Sequence, residues 1–182
     1  MRMKESASSN WILRTLACGG CVVVALWGFA LLLGGLMGPL RILGQSKGCQ
    51  SNLHSLTRGF QMYADDYEDH YPISISWIDS TGPYVSDTSR FHCPSVSFEN
   101  GSPFGYAANS EKSAAERGKI AELSKVPLIF DSSVLSKNAN DSFQSLPKPG
   151  RHTSRPARGE AILPGNNIGY GDGSVRMRFD PK

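Results

Sequence analysis

Four histidines, His54, His70, His92 and His152, together with Asp65, Asp69 and Asp172, are the residues of this chain whose types could build a transition-metal site. Imidazole and carboxylate suit such ions, but the spacings here match no known ligand pattern. The carboxylates crowded at 65–69, Asp65, Asp66, Glu68 and Asp69, offer the oxygen donors that calcium takes, although a solvated acidic helix end is the plainer reading. Serines are plentiful, yet no Gly-x-Ser-x-Gly elbow, Walker loop or His-Glu-x-x-His occurs, and "GYGDG" lacks the following helix that a phosphate-binding loop needs. No catalytic, cofactor-binding or metal-binding residue is therefore assigned. The chain is expected not to be an enzyme and to need no cofactor.

The cysteines offer different chemistry. Cys18 and Cys21 form a "CGGC" inside an apolar run with no second Cys or His pair, so they read as small packing groups rather than as a redox or zinc motif. Cys49 and Cys93 are the only two cysteines beyond that run. In an oxidising compartment they are most simply a disulfide, and in a reducing one they would be two free thiols.

The elements that must position these groups begin with residues 15–38, which carry no charge. A bilayer core needs ~20 apolar residues, so this stretch reads as a transmembrane helix, with residues 1–14 as a cytoplasmic lead and 39–182 as an extracytoplasmic head. The apolar run exceeds that of a secretory signal, and cleavage is not expected. Lys and Arg outnumber Asp and Glu by four to one in residues 1–44 and seven to three in 148–182, while 45–147 hold eight against twelve. The basic C-terminal block has no interleaved aromatics to stack on bases, so nucleic acid is not expected as a partner.

Cys49, Leu53, Leu56, Phe60, Tyr63 and Tyr67 recur at helical spacing and define one buried stripe, ending before Pro72. Ile73, Ile75 and Trp77 alternate as a short strand would, and "VPLIFD" predicts a second. "SEKSAAERGKIAELS" is compatible with a helix, and residues 145–166 with a surface loop. Asp172 and Gly173 sit between alternating residues and predict a hairpin with a structural turn. A long helix followed by a small antiparallel sheet is an α+β arrangement.

The segments "CQSNLHSLTRGFQMYADDYEDHYP", "FHCP", "FGYAAN", "PLIFD", "RH" and "GYGDGSV" resemble, in order, the landmarks of bacterial pseudopilin-like proteins with a C-terminal His…Asp-Gly pattern. The resemblance runs from about Cys49 to Phe179. It implies a pilin-like fold, in which a long membrane-anchored N-terminal helix packs on a small antiparallel sheet. It also implies a single-pass protein of the bacterial inner membrane with its head in the periplasm or another extracytoplasmic space. The partners would be membrane lipid and other membrane or envelope proteins, engaged by assembly or docking in an envelope- or secretion-related complex. Pairing of Cys49 with Cys93 fits its landmarks. The standard prepilin cleavage sequence is missing before "NWILRTLACGGCVVV", and no Glu stands in the apolar run, so the N-terminal residues are expected to be kept. Nineteen residues separate His152 from Asp172, against about nine in that family. The alternative is a non-polymerising ligand- or calcium-binding module tethered to a membrane.

Overall fold

The computed structural model describes residues 9–96, 104–154 and 161–179, with the side chains of 9–25 and 32–43 left outside the description. By its internal contacts the chain divides into two units, Met1–Ile42 and Leu43–Lys182. Helix α1 covers Ser9–Asp66. The fold of the second unit is α+β: a short helix α2 (Trp77–Thr81) and strands β1 (Tyr106–Asn109), β2 (Pro127–Asp131), β3 (Asn140–Asp141), β4 (His152–Ser154), β5 (Leu163–Tyr170) and β6 (Val175–Phe179).

The expected membrane-anchored helix is corrected. Among the described residues no helix is long and apolar enough to cross a membrane. Of the expected span 15–38, the side chains of 26–31 are described, and those of the rest, Cys18 and Cys21 included, lie outside the description. The single-pass inner-membrane placement falls with the anchor. From Cys49 on, α1 is amphipathic and packs on protein: Cys49, Leu53, Leu56, Phe60 and Ala64 join Trp77, Tyr106, Ala108, Leu128, Ile129 and Val175 in one core. Ala64 takes the inward place expected of Tyr63, whose ring instead stacks on exposed Tyr67 with centroids 4.1 Å apart.

The sheet is six-stranded and mixed rather than antiparallel throughout, because β1 and β3 run parallel. β5 is its spine: β4 pairs with 163–165 and β2 with 168–170 on one edge, while β6 pairs with 165–169 on the other. A register shift in β2 between Pro127 and Ile129 turns both Leu128 and Ile129 toward the helix, as a bulge does. Phe130 then points to the opposite face, where it meets Ala107, Ala139 and Ile168, with Phe143, Leu146 and Tyr170 packed around them. The central strands are thus covered on both faces, so their sequence shows no clean alternation.

Three local expectations change. Ser74–Ser76 is a 3₁₀ turn leading into α2, not a strand, since Trp77 is drawn inward by Phe60 and Phe91 and donates its indole N–H to the Ala139 carbonyl at 3.0 Å. The run 110–125 forms separate 3₁₀ turns rather than a helix. The expected loop 145–166 contains β4 and the start of β5, with 155–160 outside the described residues.

The acidic end of α1 has a partner. The helix stops in a Schellman-type turn: Glu68 takes φ 49°, and the Asp69 N–H bonds the Ala64 carbonyl at 2.9 Å. Arg117 then reaches across to Asp65 at 2.7 Å and Asp69 at 2.6 Å, and the Gly118 N–H donates to Asp69 at 2.6 Å. A guanidinium at a helix C-terminus offsets both the carboxylates and the macrodipole.

Candidate functional site

The charged groups that the fold buries most deeply meet where the end of β2, the start of β4 and the middle of β5 converge. Asp131 ends an apolar strand and is fully buried, as is Asn167, whose backbone N–H donates to Asp131 Oδ2 at 2.6 Å. His152 Nε2 lies 3.2 Å from the same oxygen, off the line of a hydrogen bond. Arg151 Nη1 is 3.9 Å from Asp131 Oδ1. Its guanidinium donates to the Gly105 carbonyl at 2.7 Å and to the Ser132 carbonyl, clipping the start of β1 to the end of β2. Burial pulls the Arg151 pKa down, and the Asp131 charge opposes that shift. Burial likewise pushes the neighbouring Tyr106 phenol up, with the Asp131 charge adding to it. Asn166 closes the cluster, accepting from the Arg151 backbone N–H at 3.0 Å and donating to the Pro147 carbonyl at 2.9 Å.

On its other side the imidazole meets Ser95, whose Oγ is 3.4 Å from His152 Nδ1. Ser95, His152 and Asp131 thus form a serine–imidazole–carboxylate chain, the donor set that activates a nucleophile in acyl transfer. That chemistry needs the base at an approachable site, and His152 is only 2% exposed. Two open clefts among the described residues are lined elsewhere, one by Arg58, Met62 and Tyr84, the other by Tyr63, Tyr67, His70 and Ile73. As arranged, the cluster locks three strands together.

Cys49 and Cys93 are joined in a disulfide with Cα atoms 5.2 Å apart, which pins α1 to the segment before β1. Asp172 and Gly173 lie in the β5–β6 connection. The Gly173 N–H bonds the Tyr170 carbonyl at 2.9 Å, and Gly173 alone of the pair has positive φ, at +84°. The turn is a three-residue loop closed by a left-handed glycine, not the two-residue type I′ form. Asp172 accepts from the Ser174 hydroxyl at 2.6 Å and the Ser174 N–H at 3.0 Å, which holds its pKa below the usual carboxylate value.

The remaining histidines meet other neighbours. His54 Nδ1 faces the Gly173 carbonyl at 3.2 Å, His70 Nδ1 the Glu68 carbonyl at 2.7 Å, and His92 stacks on Phe104. Asp65 and Asp69 are both engaged by Arg117. Among the described residues, the one group of His, Cys, Asp or Glu close enough to share an ion is Cys49, Cys93 and His152. Sequence reasoning missed Asp131, Arg151, Ser95, Asn166 and Asn167. The available signals were a carboxylate terminating the apolar "PLIF" and two adjacent amides inside an otherwise apolar strand. No family model, curated protein or solved structure matches the chain.

Proposed function

We infer that the protein is a pseudopilin-like assembly or docking subunit that works without catalysis, its head acting as a rigid body. The carrying observation is in α1 of the first unit: Leu26, Trp27, Phe29 and Leu31 are each at least 60% exposed. At 100° per residue these four positions span an arc of roughly 200°, and an apolar face that wide is stable only when covered. Neighbouring copies of the same helix can cover it, and burying each side chain contributes ~1.5–3 kcal/mol. The head supplies what such a subunit needs, because its disulfide, its Arg151–Asp131 centre and a core on both sheet faces hold it as a unit. The resemblance between Cys49 and Phe179 points the same way.

A photo-crosslinking residue placed at Trp27 of the full chain tests this. The expected result is a ladder of dimers and higher species that grows with concentration. The ladder should vanish in Leu26→Glu/Leu31→Glu while the melting of the head is unchanged. A chain that sediments as a monomer at every concentration and gives no ladder refutes assembly through this helix.

A further inference from the structure

The disulfide ends beside an imidazole. The two sulfurs and a ring nitrogen of His152 lie within 4.8 Å of one another, and all three residues are buried. Nε2 of His152 faces Asp131 at 3.2 Å, which leaves Nδ1 for the sulfur side. There Ser95 Oγ stands 3.4 Å from Nδ1 and 3.5 Å from Cys49 Sγ. While the sulfurs are bonded to each other, neither carries the negative charge that a metal ligand needs.

We propose that the reduced chain holds one zinc-class divalent ion between Cys49 Sγ, Cys93 Sγ and His152 Nδ1, with Ser95 Oγ at the fourth position. Two thiolates and an imidazole are a zinc donor set, and two of them at ~2.3 Å from the metal sit roughly 3.8 Å apart in tetrahedral geometry. The bonded sulfurs start closer than that, so on reduction side-chain rotation must part them to a separation still within the 4.8 Å span of the three ligand atoms. Asp131 supplies the outer contact: a carboxylate facing the far nitrogen keeps the proton on Nε2 and makes Nδ1 the better ligand. The charges also balance, since a divalent cation and two thiolates sum to zero, which suits a buried position.

The exchange balances in two steps. A dithiol reductant gives two electrons and two protons to the Cys49–Cys93 bond and becomes a disulfide itself. Metal binding then expels the two thiol protons. A coordinate link replaces the covalent one, tying the same two segments and adding β4 through His152.

The test uses the full chain carrying Cys18→Ser/Cys21→Ser, so that the second pair of thiols cannot respond. The chain is reduced with a dithiol, desalted without oxygen and titrated with cobalt(II). The expected result is a thiolate-to-cobalt charge-transfer absorption that saturates at one ion per chain, releases two protons per ion and is bleached by zinc. The oxidised chain should show none. His152→Asn in the same background should bind at least about 100-fold more weakly, more than loss of an outer contact would cause. X-ray absorption of the zinc form should fit two sulfurs at ~2.3 Å with nitrogen and oxygen completing the shell. Absence of the charge-transfer band in the reduced chain, folded or not, overturns the proposal. So does undiminished binding by His152→Asn, or an all-oxygen shell.

Discussion

Arg151→Met keeps most of the side-chain volume and removes the charge from the buried centre. Arg151 is 11% exposed and Asp131 fully buried, so water cannot replace the guanidinium without reopening the ends of three strands. Two charge-assisted hydrogen bonds, to Gly105 and Ser132, are lost at ~1.5–3 kcal/mol each. Asp131 meanwhile loses the cation 3.9 Å away, and breaking one side of a buried pair costs ~3–5 kcal/mol. These costs overlap, because the same guanidinium serves all three partners, so the total expected is about 3–5 kcal/mol. With a urea m-value of ~2 kcal/mol/M for a head of this size, the unfolding midpoint falls by roughly 1.5–2.5 M under non-reducing conditions. Arg151→Lys should fall between parent and Met, since one ammonium cannot span both carbonyls. Asp131→Asn combined with Arg151→Met should cost less than the sum of the single changes by ~1 kcal/mol or more, as coupled neighbours do. A midpoint shift under about 0.5 M for Arg151→Met, or strict additivity in the cycle, refutes the reasoning that this pair locks the strands.

Four further outcomes follow from the same geometry. Gly169→Ala places a Cβ 2.2 Å from Thr57 Oγ1, on the face where β5 meets α1, and should lower stability by ~1–3 kcal/mol, whereas Gly44→Ala, with open space around it, should not; paired urea melts decide. Gly173→Val forces a branched residue to φ +84° beside Gln61 and should cost on the order of 1–3 kcal/mol, while a variant that melts like the parent means the turn adapts. Arg117→Gln frees Asp65 and Asp69 at the end of α1, and because both carboxylates are partly exposed the loss should be about 1–2 kcal/mol and should shrink when melts are repeated in high salt. Cys49→Ala/Cys93→Ala opens a loop spanning 44 positions and should cost ~4 kcal/mol on the chain-entropy account, and an unchanged melting curve would show that the core alone fixes α1 against the sheet.

The sequence by itself determined the features that depend on near neighbours. Helical spacing marked Cys49, Leu53, Leu56 and Phe60 as one buried stripe, and Asp172-Gly173 marked the last hairpin, because a 3.6-residue period and a glycine turn are local. The same local rules misread Ile73–Trp77, where alternation yields to the indole's contacts with Phe60 and Phe91 from distant parts of the chain. Charge run and hydropathy could not say that Arg117 answers Asp65 and Asp69 across some fifty positions. Nor could they place His152 against Asp131. That pairing comes from sheet order: β4 and β2 pair with adjacent halves of one edge of β5, which brings the start of one to the end of the other. A buried charge must find its counter-charge and donors wherever packing puts it, so the polar centre is set by topology, which only the folded chain contains.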